Sequence, residues 1–325
     1  MKIDYQYWLG RINESISQQQ YGQHPTELYE PLRYIMQLGG KRMRPFLTLL
    51  GYSLYRDALD QALQPAIGVE VFHNFTLMHD DIMDNAPLRR NQPTVHEKWN
   101  SNIAILSGDV MLVKAYQQLA AVPPNCLPGV LQYFNQCAIG VCEGQQIDMN
   151  FEHRTEVTIA EYLEMIKLKT AVLLGFSLRL GGILAEAPQQ QCDMLDQFGI
   201  HLGLGFQLKD DLLDVYGDAA KVGKQVAGDI IANKKTFLLI TALQQASPAQ
   251  RQTLNHWLGL TTFNSQEKVQ AVKQVYDQLQ IQQQTQQEVN THFNKALAYL
   301  EQLPVSAERK APVKAFIQLL IDRDS

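Results

Sequence analysis

Residues 66–84 read AIGVEVFHNFTLMHDDIMD, and this stretch indicates the class of fold. Its apolar residues recur three and four positions apart, at Ile67, Val71, Phe75, Met78 and Ile82. This spacing is the period of an α-helix, whereas a strand would alternate apolar and polar residues. The same period recurs in residues 102–121, 159–184, 192–216, 235–245 and 311–321. Because no convincing strand pattern interrupts these stretches, the sequence predicts a nearly all-α fold.

Turn-forming residues between these stretches predict where the helices end. Glycine and proline break helices, since glycine is conformationally free and proline lacks a backbone N–H. Breaks are therefore expected at Gly39-Gly40 with Pro45, at Asn85-Ala86-Pro87, at Pro123-Pro124, at Pro188 and at Gly217-Asp218.

The composition is that of a folded, enzyme-sized chain. Of 325 residues, 46% are hydrophobic and 19% are charged, and no linker rich in Pro, Gly or Ser divides them, so one domain over residues 1–325 is expected. The net charge of -5 argues against nucleic acid as a partner, because that affinity needs an excess of Lys and Arg. No secretory signal and no stretch of about 18 apolar residues is present, so a cytoplasmic protein without stable membrane insertion is expected.

The stretch quoted above ends in an aspartate motif, Asp80, Asp81 and Asp84. Asp80 and Asp84 are four residues apart, so they share one face of the helix and repel each other. The C-terminal end of a helix is also the unfavourable end of its dipole for an anion. A cation should compensate, and the candidates are a divalent ion such as Mg²⁺ or the pair Arg89-Arg90. Taken alone, the cluster also fits a solvated helix end.

A second aspartate motif, Asp210, Asp211 and Asp214, repeats the same spacing at the end of another apolar-periodic helix. Two such coincidences are hard to attribute to surface composition. If the two helices face each other across a cavity, the aspartates could hold several Mg²⁺ ions around a diphosphate. The ligand that this arrangement predicts is highly anionic.

Basic and polar residues stand where such an anion would need donors. Lys41 and Arg44 follow Gly39-Gly40 at an expected helix start, whose amide groups also favour phosphate. His73 lies two helical turns before Asp80 and could donate to a phosphate or simply be a core histidine. Arg42 and Lys235 are expected to remain surface charges. Further donors are Arg89, Arg90, Lys169, Thr170, Gln207, Lys224 and Lys234.

Taken in order, these motifs resemble a known family over nearly the whole chain. GGKRMRP, HNFTLMHDDIMD followed by two arginines, Lys169-Thr170, FQLKDDLLD, Gly223-Lys224 and NKKT resemble the trans-isoprenyl diphosphate synthases, or polyprenyl synthetases. The resemblance implies an isoprenoid synthase-type helical bundle around a central cavity, usually in a homodimer. It also implies Mg²⁺ as the cofactor, with about three ions around a bound diphosphate.

The family's residue roles carry over to the matching positions. The resemblance implies Asp80, Asp84 and Asp210 as Mg²⁺ ligands, with Asp81, Asp211 and Asp214 in support. It implies isopentenyl diphosphate contacts from Lys41, Arg44, His73 and Arg90. It implies allylic diphosphate contacts from Arg89, Lys169, Thr170, Gln207, Lys224 and Lys234, of which Lys169 and Lys224 are also expected to act in catalysis.

Two positions depart from the family pattern. Asn91 follows Arg90 where the family usually has glycine, and the chain lacks the basic ending of some short-chain members. Neither departure touches an expected metal ligand, so both concern detail rather than reaction class.

The implied reaction joins isopentenyl diphosphate to an allylic diphosphate, with dimethylallyl, geranyl or farnesyl as the allylic group. The growing chain would enter the apolar interior past the residues that precede Asp80. Phe72, Phe75 and Thr76 are therefore expected to limit its length, although both rings also fit a simple core role. Within the family that the chain resembles, an aromatic residue at position 75 with an uninterrupted first aspartate motif looks like the pattern of one subgroup of geranylgeranyl diphosphate synthases. The resemblance therefore implies a C15 to C20 product, leaning to C20.

Three rival interpretations remain at this point. A terpene cyclase would share the fold but would usually lack the second aspartate motif and the Lys41 and Arg44 site. A metal-dependent phosphohydrolase is suggested by the adjacent His79 and Asp80, although it leaves the second motif unexplained. A non-catalytic partner subunit of a synthase would be expected to lose one of the two motifs.

Overall fold

The structure is a computed structural model that describes residues 3–217 and 227–322. Lys224, one of the expected allylic contacts, lies outside the described residues. Within the described ranges the fold is all-α, as the sequence predicts. The N-terminal helices are α1 (Tyr5–Ser17), α2 (Thr26–Gln37), α3 (Met43–Ser53), α4 (Asp60–Met83), α5 (Val95–Lys98) and α6 (Ser101–Ala120).

The middle of the chain forms longer helices. They are α7 (Leu127–Glu152), α8 (Ile159–Ile166), α9 (Val172–Leu184) and α10 (Gln189–Tyr216). A π turn, Lys167–Ala171, joins α8 to α9, so the continuous helical period of residues 159–184 contains one wider turn. π turns of this kind are rare and occur frequently at functional sites.

The C-terminal part of the chain continues the helical pattern. Its helices are α11 (Gly228–Ile231), α12 (Phe237–Gln245), α13 (Pro248–Gly259), α14 (Ser265–Gln278), α15 (Ile281–Gln302) and α16 (Ala307–Ile321). No helix among the residues that the structure describes is both long and apolar enough to cross a membrane.

Two helix boundaries differ from the sequence prediction. Helix α4 begins at Asp60, six residues before the predicted start, and contains Pro65. Pro45 does not break a helix, because it is the third residue of α3. The first four N–H groups of a helix have no partner within it, so a proline is tolerated there.

A short hairpin lies between α4 and α5, and the sequence analysis missed it. Strand β1 (Leu88–Arg89) pairs antiparallel with β2 (Gln92–Pro93), which leaves Arg90 and Asn91 as a two-residue turn. Both turn residues have positive φ, 53° and 61°, as the preferred tight hairpin turn requires. Asparagine tolerates this conformation better than most residues, which explains how Asn91 replaces the usual glycine.

The chain groups into two compact units. The first consists of Met1–Gln136, Phe176–Asp196 and Leu303–Val313. The second consists of Cys137–Gly175, Gln197–Gln302 and Lys314–Ser325. The single domain over residues 1–325 stays a prediction.

Helix α4 forms the core of the first unit together with α3 and α6, against which it packs. Gly68 permits the close approach of α6, because an added Cβ would lie 3.1 Å from Gln118 Cβ. Phe72 is almost completely buried, and its ring packs edge-on against Phe134 with 5.0 Å between the ring centroids. The residues before the first aspartate motif are therefore fixed by dense packing.

Arg42 corrects the expectation of a surface charge. Its side chain is only 2% exposed and donates to Glu70 Oε1 at 2.7 Å, and the Glu70 side chain is equally buried. Further hydrogen bonds run to Asn13 Oδ1 at 3.1 Å and to the Met36 carbonyl at 2.6 Å. A buried charge is tolerated only when it is paired and hydrogen-bonded, and Arg42 meets both conditions. It therefore fixes the turn between α2 and α3 to α4.

The second unit is built around α10. Added Cβ atoms at Gly199 and Gly203 would lie 2.6 Å from the Cα atoms of Gly175 and Ala171. Only glycine allows α10 to lie this close to the start of α9 and to the π turn. The C-terminal half of α10 joins a buried cluster with α11 to α15, whose members include Leu212, Val215, Leu238, Leu254, Val272 and Ile281.

Candidate active site

The first aspartate motif occupies the last turn of α4, in the first unit. Asp84 caps the helix, and its N–H donates to the Asp80 carbonyl at 2.9 Å. Asp81 is buried, and Arg89 Nε donates to its two carboxylate oxygens at 2.9 and 2.8 Å. Arg89 Nη2 also donates to Asp81 Oδ1 at 2.7 Å and lies 3.7 Å from Asp80 Oδ2. Arg89 is thus a cation that compensates this motif, and the hairpin positions it.

The charge on Asp81 is supported against burial. Burial raises the pKa of Asp81, while the hydrogen bonds and the charge of Arg89 oppose that rise. A fork of parallel N–H···O bonds is the strongest pairing that a carboxylate makes with a side chain. Asp80, by contrast, keeps a side chain that is 20% exposed. The two adjacent aspartates therefore have different environments.

Arg90 turns away from the aspartates and toward the double glycine. Its Nη1 donates to the Gly39 carbonyl. An added Cβ on Gly40, whose φ is +132°, would lie 2.8 Å from Arg90 Nη2. The two glycines thus permit both this backbone conformation and the approach of the guanidinium. The structure brings Arg90 to the segment that carries Lys41, as their shared role in the sequence analysis implies.

Arg44 and His73 also meet in the first unit. Arg44 Nη1 lies 3.0 Å from His73 Nε2, and His73 is half-buried. Burial, followed by the charge of Arg44 and of three other arginines, lowers the pKa of His73 well below its usual value. The ring is therefore neutral, and Nε2 accepts from Arg44, which leaves the hydrogen on Nδ1. His73 orients Arg44, so any donation to phosphate must come from Nδ1.

The residues expected to limit chain length share a face of α4. Phe72 and Phe75 are in ring contact, with 5.7 Å between their centroids. Thr76 is half-buried, and its hydroxyl donates to the His73 carbonyl at 2.8 Å. His79 packs edge-on against Phe75 at 4.8 Å, and its Nε2 lies 3.2 Å from the Ile105 carbonyl. This occupation of the His79 ring gives no support to the phosphohydrolase interpretation, which needs it as a metal ligand.

The second aspartate motif ends α10, in the second unit. Asp211 is buried, accepts from the Tyr162 hydroxyl at Oδ2, and accepts from Gln207 Nε2 at 3.0 Å at Oδ1. Gln207 in turn accepts from the Thr170 hydroxyl at 3.2 Å. Burial and then the charge of Asp229 raise the pKa of Asp211 to about 7. Asp210, its neighbour, is only half-buried.

Asp214 faces a carboxylate that the sequence analysis missed, Asp229 of α11. The N–H of Asp229 donates to Asp214 Oδ2 at 2.9 Å. Burial and then the charge of Asp229 raise the pKa of Asp214 to about 6. Lys234 Nζ lies 4.0 Å from Asp229 Oδ1, so the expected phosphate donor stands beside this acidic group.

Lys169 and Thr170 belong to the π turn. Lys169 Nζ donates to Asp148 Oδ2 of α7 at 2.6 Å. An added Cβ on Gly144 would lie 2.2 Å from the Lys169 backbone N, so α7 presses directly against this turn. The wider turn therefore presents Lys169 and Thr170 together, and Thr170 is the residue that donates to Gln207. Lys235 is half-buried, so part of its side chain remains at the surface.

The acidic groups fit Mg²⁺ better than a soft metal. Within residues 3–217 and 227–322, no three His, Cys, Asp or Glu side chains gather in a metal-binding geometry. Mg²⁺ is usually held by one or two carboxylates, water and substrate phosphates rather than by a cage of protein ligands. Burial, and then the charge of Asp229, raises the pKa values of Asp211 and Asp214, and a divalent cation would favour their charged forms.

Comparison with known proteins yields one family. Residues 25–279 match the family described as polyprenyl synthetase. A short chain isoprenyl diphosphate synthase of Methanocaldococcus jannaschii is 37% identical over 266 residues, 82% of this chain and 80% of that protein. A geranylgeranyl diphosphate synthase of Saccharolobus solfataricus is 40% identical over 236 residues, 71% of each chain. A solved geranylgeranyl pyrophosphate synthase superposes with a TM-score of 0.92 at 40% identity, covering 99% of this chain and 98% of that one.

The fold and the two aspartate motifs, taken with these relatives, define the class of protein as an all-α prenyltransferase. More particularly, the chain belongs to the polyprenyl synthetase family. This membership confirms the resemblance drawn from the motifs and favours the synthase over the cyclase, phosphohydrolase and non-catalytic interpretations.

Three residues that contact the expected site residues were not predicted, because they do not belong to a sequence motif. Asp229 lies beside Asp214, Tyr162 donates to Asp211, and Asp148 pairs with Lys169. The sequence contained one usable signal, since Asp229 stands five residues before Lys234 of the NKKT motif. Tyr162 and Asp148 lie 49 and 21 residues from their partners, so no local pattern could reveal them.

The raised pKa of Asp214 makes the stability of the Mg²⁺-free protein depend on pH. The pKa of an aspartate in the unfolded chain is about 3.9. The stability that the protonated Asp214 carboxyl contributes is therefore complete below that pH, and it is lost as the pH rises through the folded pKa of about 6. Asp214→Asn removes the ionisation and keeps an acceptor for the Asp229 N–H. In EDTA we expect the free energy of unfolding of the variant to exceed that of the wild type by on the order of 2 kcal/mol at pH 8 and by little at pH 4.

Urea unfolding at the two pH values measures this difference. Addition of Mg²⁺ at pH 8 is the control, since the cation should stabilise the wild type and narrow the gap. If the variant and the wild type differ in free energy of unfolding by the same amount at both pH values, the raised pKa of Asp214 is contradicted.

Proposed function

We propose that this protein is a Mg²⁺-dependent synthase that condenses isopentenyl diphosphate with an allylic diphosphate to give a short-chain, all-trans prenyl diphosphate. One observation carries the proposal: the two aspartate motifs are built in the same way. In each, the second aspartate is buried and held by protein donors, Arg89 for Asp81 and Tyr162 with Gln207 for Asp211. In each, the first aspartate remains partly exposed. The relatives named above support the reaction class.

The proposed metal ligands are members of the motifs that keep part of their side chains exposed. We propose Asp80, Asp84 and Asp210 as Mg²⁺ ligands, because Asp84 is exposed and Asp80 and Asp210 are partly exposed. We propose that Asp81, Asp211 and Asp214 support them, and we add Asp229 to this supporting group. Bound Mg²⁺, with about three ions around the diphosphate, would supply positive charge to the leaving group.

The isopentenyl diphosphate contacts are proposed to be Lys41, Arg44 and Arg90. Arg90 and Lys41 adjoin the same double glycine, and Arg44 is oriented by His73. Because His73 is neutral, its Nε2 accepts a hydrogen bond from Arg44 and the ring does not repel the guanidinium group. His73 itself would contact the phosphate only through Nδ1.

The allylic diphosphate contacts are proposed to be Arg89, Lys169, Thr170, Gln207, Lys224 and Lys234. Lys169 donates to Asp148 at 2.6 Å, which holds its ammonium group in place, and Lys234 Nζ lies 4.0 Å from the Asp229 carboxylate. Arg89 is held in the same way by Asp81. Such paired cations are oriented before the substrate arrives, which lowers the entropy that binding must overcome.

The proposed chemistry breaks the allylic C1–O bond, and the electron pair leaves with the diphosphate. Lys169, Lys234 and the other allylic contacts stabilise the charge that builds on that leaving group, which is electrostatic stabilisation of the transition state. The double bond of isopentenyl diphosphate, positioned by Lys41, Arg44 and Arg90, attacks the allylic C1. A proton then leaves the new cation, and the departing diphosphate is the base that accepts it.

The proposed product has 15 to 20 carbons, with a preference for 20. Phe72 and Phe75 close the face of α4 on which the chain would grow, because both rings are held by packing. Thr76 lies on the same face and is smaller, and we propose that it forms one side of this barrier to chain growth.

We also propose a cytoplasmic location, as the sequence predicts.

We further propose that the enzyme is a homodimer. Ile105, Leu106 and Val113 expose 43%, 58% and 57% of their surface on α6, where Ile105 adjoins Leu106 and Val113 lies about two turns further along. An apolar patch of this kind on a folded chain favours contact with another protein surface. A second copy of the chain fits this patch, since an isologous interface pairs the same surface of both subunits.

The reaction is tested with purified protein, Mg²⁺, radiolabelled isopentenyl diphosphate and one allylic diphosphate at a time. Linear prenyl diphosphates are expected with at least one of dimethylallyl, geranyl and farnesyl diphosphate, and EDTA should abolish them. Asp80→Ala should lower the rate by about 100-fold or more, since it removes a proposed ligand of the charge-stabilising ions. Asp60→Ala, on the same helix but exposed and paired with Arg11, is the matched control. Folded protein that incorporates no label with any primer would overturn the proposal.

The chain-length stop is tested with Phe75→Ala. Removal of this ring should lengthen the product by at least one isoprene unit, because the growing chain gains room beside Phe72. Product sizing by chromatography after dephosphorylation gives the answer. Leu77→Ala is the control, since Leu77 lies two residues away on the opposite side of α4. Unchanged product length in Phe75→Ala, with normal incorporation, would mean that the ring is core only.

The dimer is tested by light scattering during size-exclusion chromatography. The wild type should have twice the monomer mass of 36.9 kDa. The double variant Leu106→Glu with Val113→Glu should be monomeric, because charge on this face opposes apolar burial. Leu319→Glu introduces the same charge at another exposed apolar residue and should leave the dimer intact. A monomeric wild type would refute the proposal.

A further inference from the structure

Lys268 is a lysine with no exposed surface, and no step above uses it. It lies on α14 in the second unit, and its relative exposure is 0%. A buried ammonium group is costly unless hydrogen bonds and charge compensate it. The chain therefore retains this lysine at a position where an apolar residue of similar length would bury more easily.

The ammonium group of Lys268 is held by the segment that follows α11. Its Nζ donates to the Ile231 carbonyl at 3.0 Å and to Asn233 Oδ1 at 2.6 Å. It also lies 4.1 Å from the centroid of the Phe263 ring, within the range of a cation–π contact. Both hydrogen-bond acceptors are neutral, so the role of this lysine differs from that of an ion pair.

These two acceptors stabilise a segment that could not hold its shape alone. Ile231 ends α11, a helix of only four residues, and its carbonyl has no partner within the helix. A helix this short is unstable in isolation, and a cation at its C-terminal end is favourable to its dipole. Asn233 has a positive φ of 56°, a conformation that also needs support from its surroundings. Lys268 supplies that support from a separate helix.

Asp229 and Lys234 flank these two contacts, and Asp229 adjoins Asp214 of the second aspartate motif. The N–H of Asp229 donates to Asp214 Oδ2 at 2.9 Å, and the N–H of Lys234 donates to the Asp229 carbonyl at 2.9 Å. Lys234 Nζ lies 4.0 Å from the Asp229 carboxylate. Displacement of Ile231 or Asn233 would therefore move both Asp229 and Lys234.

We propose that Lys268 is a positioning residue for Asp229 and Lys234, and through them for the binding of Mg²⁺ and the allylic diphosphate. This inference rests on the proposed function. Lys268 is not itself proposed to contact either ligand. Its hydrogen bonds fix the backbone on which the carboxylate beside Asp214 and the phosphate donor are mounted.

The test measures binding rather than turnover. Wild type and variants are titrated by calorimetry in Mg²⁺ with the thiolo analogue of dimethylallyl diphosphate, in which sulfur replaces the bridging oxygen and cleavage is slow. Isopentenyl diphosphate is titrated separately. Lys268→Met keeps the length and removes the donor, and we expect it to weaken binding of the analogue about tenfold. Binding of isopentenyl diphosphate should change less than twofold, since its proposed contacts lie in the first unit.

Two further variants separate positioning from simple loss of stability. Val275→Ala is the matched control, because Val275 is buried on the same helix in the same apolar cluster and should lower stability without changing either affinity. Asn233→Gly keeps the positive φ and removes one acceptor, so it should weaken analogue binding in the same direction as Lys268→Met. It also keeps the test informative if Lys268→Met does not fold.

The possible outcomes distinguish this inference from the proposed function. A double variant of Lys268→Met and Asn233→Gly should lose less than the sum of the two single effects, because both remove the same contact. If Lys268→Met binds the analogue as the wild type does and loses only stability, as Val275→Ala does, the lysine is merely structural and the inference is wrong. If the wild type binds neither the analogue nor isopentenyl diphosphate, the proposed function itself fails.

Discussion

The central constraint on this structure is the repulsion between carboxylates that lie together at the C-terminal ends of apolar helices. Asp80, Asp81 and Asp84 share one such end, and Asp210, Asp211 and Asp214 share another, where the helix dipole adds to the repulsion. In each group the buried member is held by protein donors. Asp81 receives the fork of Arg89, and Asp211 receives the Tyr162 hydroxyl and Gln207. A cation and an anionic substrate are the proposed partners of the other aspartates.

Much of the local structure can be understood as support for the groups that surround these charges. The hairpin turn directs Arg89 to Asp81 and Arg90 to Gly39, so two adjacent arginines serve different neighbours. Gly40 leaves room for Arg90, and Gly144 leaves room for the turn that bears Lys169. Each contact needs either a positive φ or a missing side chain. The glycines of these segments therefore belong to the site as much as its charged residues do.

The sequence was sufficient for the class of fold and for the family. Helical period predicted α4, α6 and α10, and the repeated aspartate spacing led to the family, because both signals lie within a few neighbouring residues. Features that arise from distant contacts were not predictable. Arg42 pairs with Glu70 across 28 residues, Tyr162 reaches Asp211 across 49, and Lys268 reaches Ile231 across 37. The two-residue turn at Arg90 was missed since strands of two residues are too short to show alternation.

The π turn at Lys167–Ala171 has a further consequence for how this chain can change in length. A π turn holds one more residue than an α turn, so one residue can be added to a helix there without changing the face that the following residues bury. Deletion of a single residue from Lys167–Ala171 would therefore restore a regular helix and leave the buried face of α9 toward its present neighbours. The wide turn itself would be lost, and with it the close fit against Gly144 and Gly203. A change of one residue in the length of this segment thus alters how Lys169 and Thr170 are presented and leaves the packing of α9 intact.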